Sequence, residues 1–401
     1  MTDSAKIKNW DNNGDEKGLH SILKENFPNL NINIKYIPNG STEKEIMEIF
    51  DSIYESMNQD EEIIFDITHG FRSIPMLAMT VLNYAKTIKN IQISGIYYGA
   101  YEAGVKEEGS DIMKAPIFDL TIYNSILNWS TAANSFIKFG NSKEISNLCE
   151  AENRNRQKNH SDSSYQNINK VIRNLNFLTD SISSARGKFV TGQKRQSIGA
   201  SYNKFKLSLN ELNEKNSDIL PELKPLFHKI QDSIKDFDSE NNFELGIASI
   251  KWCINNEMIQ QGYTALEEAI KTYLCYYYKI DEKSKKNREN FCKNAINSLI
   301  KELNKNRSNA SNSDLIRKNS WNTIKEWTKN DDLSSPELEL LENIVMTLPL
   351  ELAQLSYEIS GFRNDINHFG FTETMMDSEK LKSSLTNFFN KFQKIIENHP
   401  I

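Results

Sequence analysis

Glycine and proline are scarce, 16 and 9 in 401 residues, which argues against a chain of many short strands and turns and suits a helix-rich soluble protein. Cysteine is scarcer still. The four thiols, Cys149, Cys253, Cys275 and Cys292, are widely spaced, with no CxxC and no Cys/His grouping that closes a tetrahedral zinc site, so they are expected to be reduced structural thiols and no metal is called for. No stretch approaches the roughly 18 apolar residues of a membrane span, and residues 1–10 are polar, so no membrane association is expected and a cytoplasmic location is. Positive charge is not in excess either. A net charge of -6 and a pI near 5.7 exclude a protein that coats nucleic acid through bulk counterion release, so any RNA contact has to be local. Basic clusters at 154–158 and 283–288 read first as solvated faces. Neither a Walker-type loop, nor a dinucleotide fingerprint, nor an internal repeat occurs.

What is present is enough apolar material, 38%, for cores, in a length that fits two or perhaps three units. The first third alternates periods. Helices are expected over 15–26, 42–57, 73–89 and 122–139, and strands over 32–37, 63–67, 91–98 and 116–120. That order predicts an α/β, Rossmann-like domain with a parallel sheet over 1–139. Residues 140–166 are polar and lack a period, so a linker or a frayed helical connection is expected there, within a linker and helical connector over 140–240. An all-α domain follows over 241–401. Its clearest helix is expected over 244–278, with others over 289–305, 315–327, 336–360 and 378–397.

The first polar constellation is Asp66-Ile67-Thr68-His69-Gly70-Phe71-Arg72-Ser73-Ile74-Pro75, where an apolar strand meets the next helix. Ligands of open parallel sheets bind at the carboxyl ends of strands. Gly70 permits close backbone approach, Thr68 and the loop amides can donate to phosphate, and Arg72 can pair with an anion. The plainer alternative makes Thr68 and Ser73 caps, His69 a packing residue and Gly70 a turn. The run resembles the signature loop of the CARF sensor domains of type III CRISPR ancillary ribonucleases, and Gly95-Ile96-Tyr97-Tyr98-Gly99-Ala100 continues the resemblance. It implies a receptor for cyclic oligoadenylates as allosteric activators, four adenylates being the first expectation, with Thr68, His69, Gly70 and Arg72 facing the ring. Members usually begin with a further strand and a glycine loop, and this chain is expected to start after them.

The second constellation is Gly361-Phe362-Arg363-Asn364-Asp365-Ile366-Asn367-His368-Phe369-Gly370. Five residues turn a regular helix through about 140°, so Arg363 and His368 meet at one phosphate only near a helix end or across a dimer. Such a pair supports attack of a ribose 2′-hydroxyl on the adjacent phosphate, with His368 moving a proton or polarising an oxygen and Arg363 stabilising charge. The substrate would be RNA and not DNA. As alternatives, Arg363 makes a surface ion pair and His368 caps the helix on Asn364. A similar pair, Arg154 and His160, falls in the polar linker and is set aside.

Arg-Asn-x-x-x-His late in a helical domain is similar to the catalytic motif of HEPN ribonucleases, and residues 255–269 resemble the first helix of that domain. The resemblance implies a metal-independent endoribonuclease acting on single-stranded RNA as a homodimer, with Arg363, Asn364 and His368 in the site. Carboxylate pairs such as Glu61-Glu62 and Glu267-Glu268 need no catalytic explanation, although Glu268 could lean toward the Arg363 site. The rival expectations are a non-catalytic nucleotide-sensing dimer and a truncated remnant with an uncoupled nuclease domain.

Overall fold

The chain opens with one helical turn, α1 (Asp3–Ala5), widening into a π-helical stretch, Lys6–Asp11, before α2 (Leu19–Asn26) and α3 (Glu43–Glu55). This is a computed structural model, describing residues 1–12, 17–68, 74–107, 109, 113–157, 164–188, 196–214, 223–305, 313–328, 333–373 and 375–401. It divides into two units, Met1–Leu127 and Asn128–Ile401.

In the first unit the apolar runs become β1 (Glu62–Asp66) and β2 (Gln92–Gly99), joined through α4 (Ile74–Lys89). They pair in parallel, Phe65 opposite Ile96. A crossover helix between two strands is what makes a parallel pair reachable. α4 buries Val81, Leu82 and Ala85 with Met57 and Ile91, a helical stripe against the strand ends. Lys89, at its last turn, donates at 2.7 Å to the carbonyls of both Tyr54 and Met57, satisfying acceptors at the end of α3.

Two expectations for this unit are corrected. The sheet is mixed, because β5 (Ile117–Asp119) runs antiparallel to β2, Tyr98 opposite Phe118. The connection is the reason: it holds a 3₁₀ turn, Tyr101–Ala103, and the two-residue strands β3 (Val105–Lys106) and β4 (Met113–Lys114), with no crossover helix, so the chain returns antiparallel. Residues 32–37 are not a strand. Ile37 donates to the Met1 carbonyl at 3.0 Å and the Met1 amine donates to the Lys35 carbonyl, a local clasp without a ladder.

α5 (Thr121–Phe139) runs across the division, and the second unit is helical throughout its described residues: α6 (Lys143–Gln157), α7 (Ser164–Ser183), α8 (Ile198–Glu214), α9 (Leu223–Ser233), α10 (Asn242–Asn255), α11 (Ile259–Tyr277), α12 (Asn294–Lys305), α13 (Ser313–Trp327), α14 (Ser335–Thr347), α15 (Leu350–Asn367) and α16 (Ser378–Asn398). The expected polar linker is therefore partly helix. Among its described side chains α6 buries the apolar Ile145 and Cys149, one turn apart, and its polar side chains complete the attachment: Cys149 donates to Asn169 at 2.8 Å and the Asn153 and Asn169 amides exchange hydrogen bonds.

The long helix expected over 244–278 is broken at 256–258. Glu257 takes φ 54°, and the Met258 amide closes back on the Cys253 carbonyl at 2.8 Å, a left-handed helix stop. The helix expected over 336–360 breaks at Leu348-Pro349, since the residue before proline is pushed out of the helical region; Leu348 has ψ 128°. The helix expected from 289 starts earlier, as a π-helical stretch, Lys286–Lys293, leading into α12.

Two apolar cores result. One gathers Phe136, Ile145, Leu175, Phe205 and Phe237; the other gathers Leu266, Tyr273, Phe291, Leu352 and Phe392. α10 serves both, giving Leu245 and Cys253 to the first and Ile250 to the second. If 140–240 is packed protein, Leu175→Ala, at a site with no exposure, lowers unfolding free energy by about 2–5 kcal/mol. Denaturant titration of the two proteins checks this.

Candidate functional site

The parallel pairing of β1 and β2 brings their carboxyl ends to one edge. There the Thr68 hydroxyl donates to Asp66 Oδ1 at 2.5 Å and accepts from the Gly99 amide at 2.8 Å. The Thr68 amide also donates to Asp66 Oδ1, at 2.8 Å. Thr68 thus ties the first strand end to the second. Its hydroxyl proton is committed to Asp66, and the oxygen faces Gly99 so closely that an added Cβ there would sit 3.2 Å from it. The other ligand-facing expectations, His69, Gly70 and Arg72, lie outside the described residues, as does Ser73.

In the helical unit α15 carries Arg363 and Asn364 and is closed by His368. The helix is regular through Asn367, and His368 caps it with φ −88° and ψ 10°. The amide of His368, at 2.9 Å, bonds the Asn364 carbonyl. The ring of His368 and the side chain of Asn364 are exposed. Beyond them the chain reverses through Phe369 and Gly370, both at positive φ, and the buried Asp365 carboxylate fixes the turn by accepting from the Thr372 hydroxyl and from the Met376 amide at 3.3 Å. Phe369 and Phe371 are left 88% exposed beside the histidine.

Arg363, earlier on the same helix, reaches a buried partner. Its Nη1 donates to Glu267 Oε2 at 2.5 Å; the arginine side chain keeps 30% exposure and the glutamate 7%. Sequence reasoning picked the neighbouring carboxylate. Adjacent residues on a helix diverge by about 100°, so Glu268 turns instead to Lys271 at 2.7 Å and Arg288 at 2.6 Å. The one available signal was the Glu267-Glu268 pair, and only packing distinguishes its two members.

Lys271 joins these groups. Its ammonium, 6% exposed, lies 3.5 Å from Glu267, 2.7 Å from Glu268 and 3.0 Å from Glu289. Burial alone would lower its pKa, but the carboxylates around it raise it. Burial likewise works to raise Glu268, yet Lys271 and Arg288 hold it below the usual carboxylate range. For Glu289 burial is again outweighed, here by Lys293 and Lys271, and its carboxyl is held at about 2. Among the described residues no three His, Cys, Asp or Glu side chains gather to hold a metal ion, and no helix is long and apolar enough to cross a membrane. All four cysteines are free and buried.

With this geometry in view, the comparisons with known proteins bear on both units. Residues 4–102 match the CARF domain of CRISPR system endoribonuclease Csx1. The chain is also similar to CRISPR-associated protein MJ1674 of Methanocaldococcus jannaschii, with 30% identity over 270 residues, which is 66% of this chain and 38% of that protein's length. The N-terminal unit is therefore similar to a CRISPR sensor domain, and the chain spans well under half of the curated relative it matches.

A carboxyl held near 2 in the fold and at the ordinary 4.5 when unfolded stabilises the fold fully above 4.5, and that contribution drains away as pH falls toward 2. Glu289→Gln should therefore show a smaller loss of stability than the native chain across that window. Urea midpoints measured at several pH values between 7 and 2 check this.

Proposed function

We propose that this chain is a cyclic-oligoadenylate-activated endoribonuclease that cuts single-stranded RNA without a metal, as part of CRISPR antiviral defence. In this reading the N-terminal unit is a Rossmann-like receptor for the ring, and the helical unit is a HEPN nuclease acting as a homodimer. The observation that carries it is the pairing of roles on α15: a guanidinium anchored on a buried carboxylate within one turn and a half of an exposed imidazole at the helix end. The similarity of residues 4–102 to a CRISPR endoribonuclease's sensor domain supports the same reading.

The chemistry needs only these groups and the substrate. The ribose 2′-oxygen forms a bond to the adjacent phosphorus while the bond from phosphorus to the 5′-oxygen breaks. The 2′-hydroxyl gives up its proton and the departing 5′-oxygen gains one, leaving 2′,3′-cyclic phosphate and 5′-hydroxyl ends. His368 handles a proton at one of these oxygens, and Arg363 stabilises the charge on the phosphoryl oxygens as the transition state forms. Asn364 is exposed next to Arg363 and contributes to the substrate surface. Glu267 acts through Arg363 as a positioning residue, since it fixes one edge of the guanidinium and leaves the other for the phosphate.

RNA cleavage in EDTA, with rings of three, four or six adenylates and with none, tests the reading. Activity should require a ring and spare the same sequence made as DNA, and His368→Ala should lower it about 10²–10⁴-fold. Equal cleavage by native and His368→Ala protein removes the imidazole from the mechanism. Ring binding with no RNA loss makes the chain a sensor alone. Glu267→Gln should reduce kcat with little change in KM, and a pure loss of folded protein instead would assign Glu267 to stability only.

A further inference from the structure

The second unit holds a cavity of about 640 Å³ that neither constellation uses. It opens where the end of α7 and the start of α8 meet α10 and α11. Its depth is lined by buried, mostly small side chains, among them Ser249 and Cys253 of α10 and Ala269 of α11. Gly246 faces Ala269 across the two helices, a Cβ there falling 3.4 Å from the alanine methyl, so the helices lie close at that point. The volume lies inside the roughly 300–1,000 Å³ of small-molecule sites.

Charge is distributed unevenly along it. At the inner end Arg288 is fully engaged: it donates to Thr272 at 2.8 Å, to the Glu282 carbonyl at 3.2 Å, and to the carbonyl and carboxylate of Glu268 at 2.9 and 2.6 Å. Glu289 is matched there by Lys271 and Lys293. At the exposed end stand Lys188, Lys283 and Lys285, and among the described residues none of the three has a carboxylate partner; Lys188 donates only to the Lys283 carbonyl, at 3.2 Å. Three lysines without a carboxylate partner, against the single Glu282 carboxylate beside them, which accepts from Asn242 at 3.0 Å, favour an anion at the mouth.

The walls between these ends offer acceptors. The hydroxyls of Ser249 and Thr264 already donate to carbonyls one turn back, at 2.6 and 3.0 Å, so what they present to the cavity is oxygen lone pairs. A purely aliphatic tail would strand them. A flat heterocycle with N–H edges would satisfy them while its faces lie on the small side chains.

We propose that this cavity is a mononucleotide site, distinct from the strand edge of the N-terminal unit, with the base in the small-residue slot and the phosphate at Lys188, Lys283 and Lys285. The site goes beyond the RNA-cleavage reading and stands or falls separately from it.

Calorimetric titration of the full chain with AMP, GMP, CMP and UMP, and with adenosine and inorganic phosphate as partial ligands, tests the site. At least one mononucleotide should saturate at a single site per chain and bind more tightly than adenosine or phosphate alone. The double variant Lys283→Glu, Lys285→Glu alters only exposed side chains, and it should weaken mononucleotide binding about tenfold or more while leaving adenosine binding within about threefold. Ala265→Phe, filling the slot from its half-buried position, should abolish binding of both. Thr68→Ala should bind as the native chain does. Absence of saturable binding, indifference to the lysine reversal, or loss of binding in Thr68→Ala each overturns the proposal.

Discussion

Glu267 is a carboxylate almost closed off from water, and the helical unit is organised around keeping it compensated. A buried charge left alone costs several kcal/mol, and the attraction of a partner offsets that cost only when geometry and hydrogen bonds are complete. Here Arg363 supplies the short contact and Lys271 the second. Lys271, itself buried, then requires Glu268 and Glu289, and those bring in Arg288 and Lys293. The chain of pairs joins α11, the π-helical stretch before α12, and α15. Four cations face three carboxylates, and the ends of the chain, at Arg363 and Lys293, are its more open cations. A structure that needs Arg363 to balance Glu267 thereby holds in place a guanidinium whose side chain keeps 30% exposure.

His368 is placed by a different feature from that network. The left-handed turn at Phe369 and Gly370, secured by Asp365, ends α15 at the histidine and leaves its ring in solvent. Arg363 is held by charge and His368 is placed by a helix stop. Two independent constraints on one helix set the distance between them along the chain, about one turn and a half.

In the N-terminal unit the governing constraint is topological. A crossover helix makes β1 and β2 parallel, so Thr68 and Gly99 arrive at the same edge, and one threonine hydroxyl serves as both donor and acceptor across it. The hairpin that follows has no helix to carry it back, and the sheet becomes mixed at β5. The residues that match the CARF domain of CRISPR system endoribonuclease Csx1, 4–102, include this edge.

Period and composition by themselves determined which segments are helix or strand wherever one face is apolar: β1, β2, α4 and α16 follow the patterns of their residues, since the apolar spacing and the backbone geometry have the same period. The Arg363 and His368 string was picked out by its resemblance to a known motif and not by period, since its spacing alone is weak. Only the tertiary structure decided the rest. α6 was hidden because Ile145 and Cys149 are its few apolar anchors and its polar side chains bond α7, a partner that a linear pattern does not display. The breaks at Glu257 and Leu348 depend on a left-handed residue and a proline junction inside otherwise continuous apolar stripes. The choice of Glu267 over Glu268 as the partner of Arg363 rests on a rotation of about 100° between neighbours, which acquires meaning only once α15 has packed against α11.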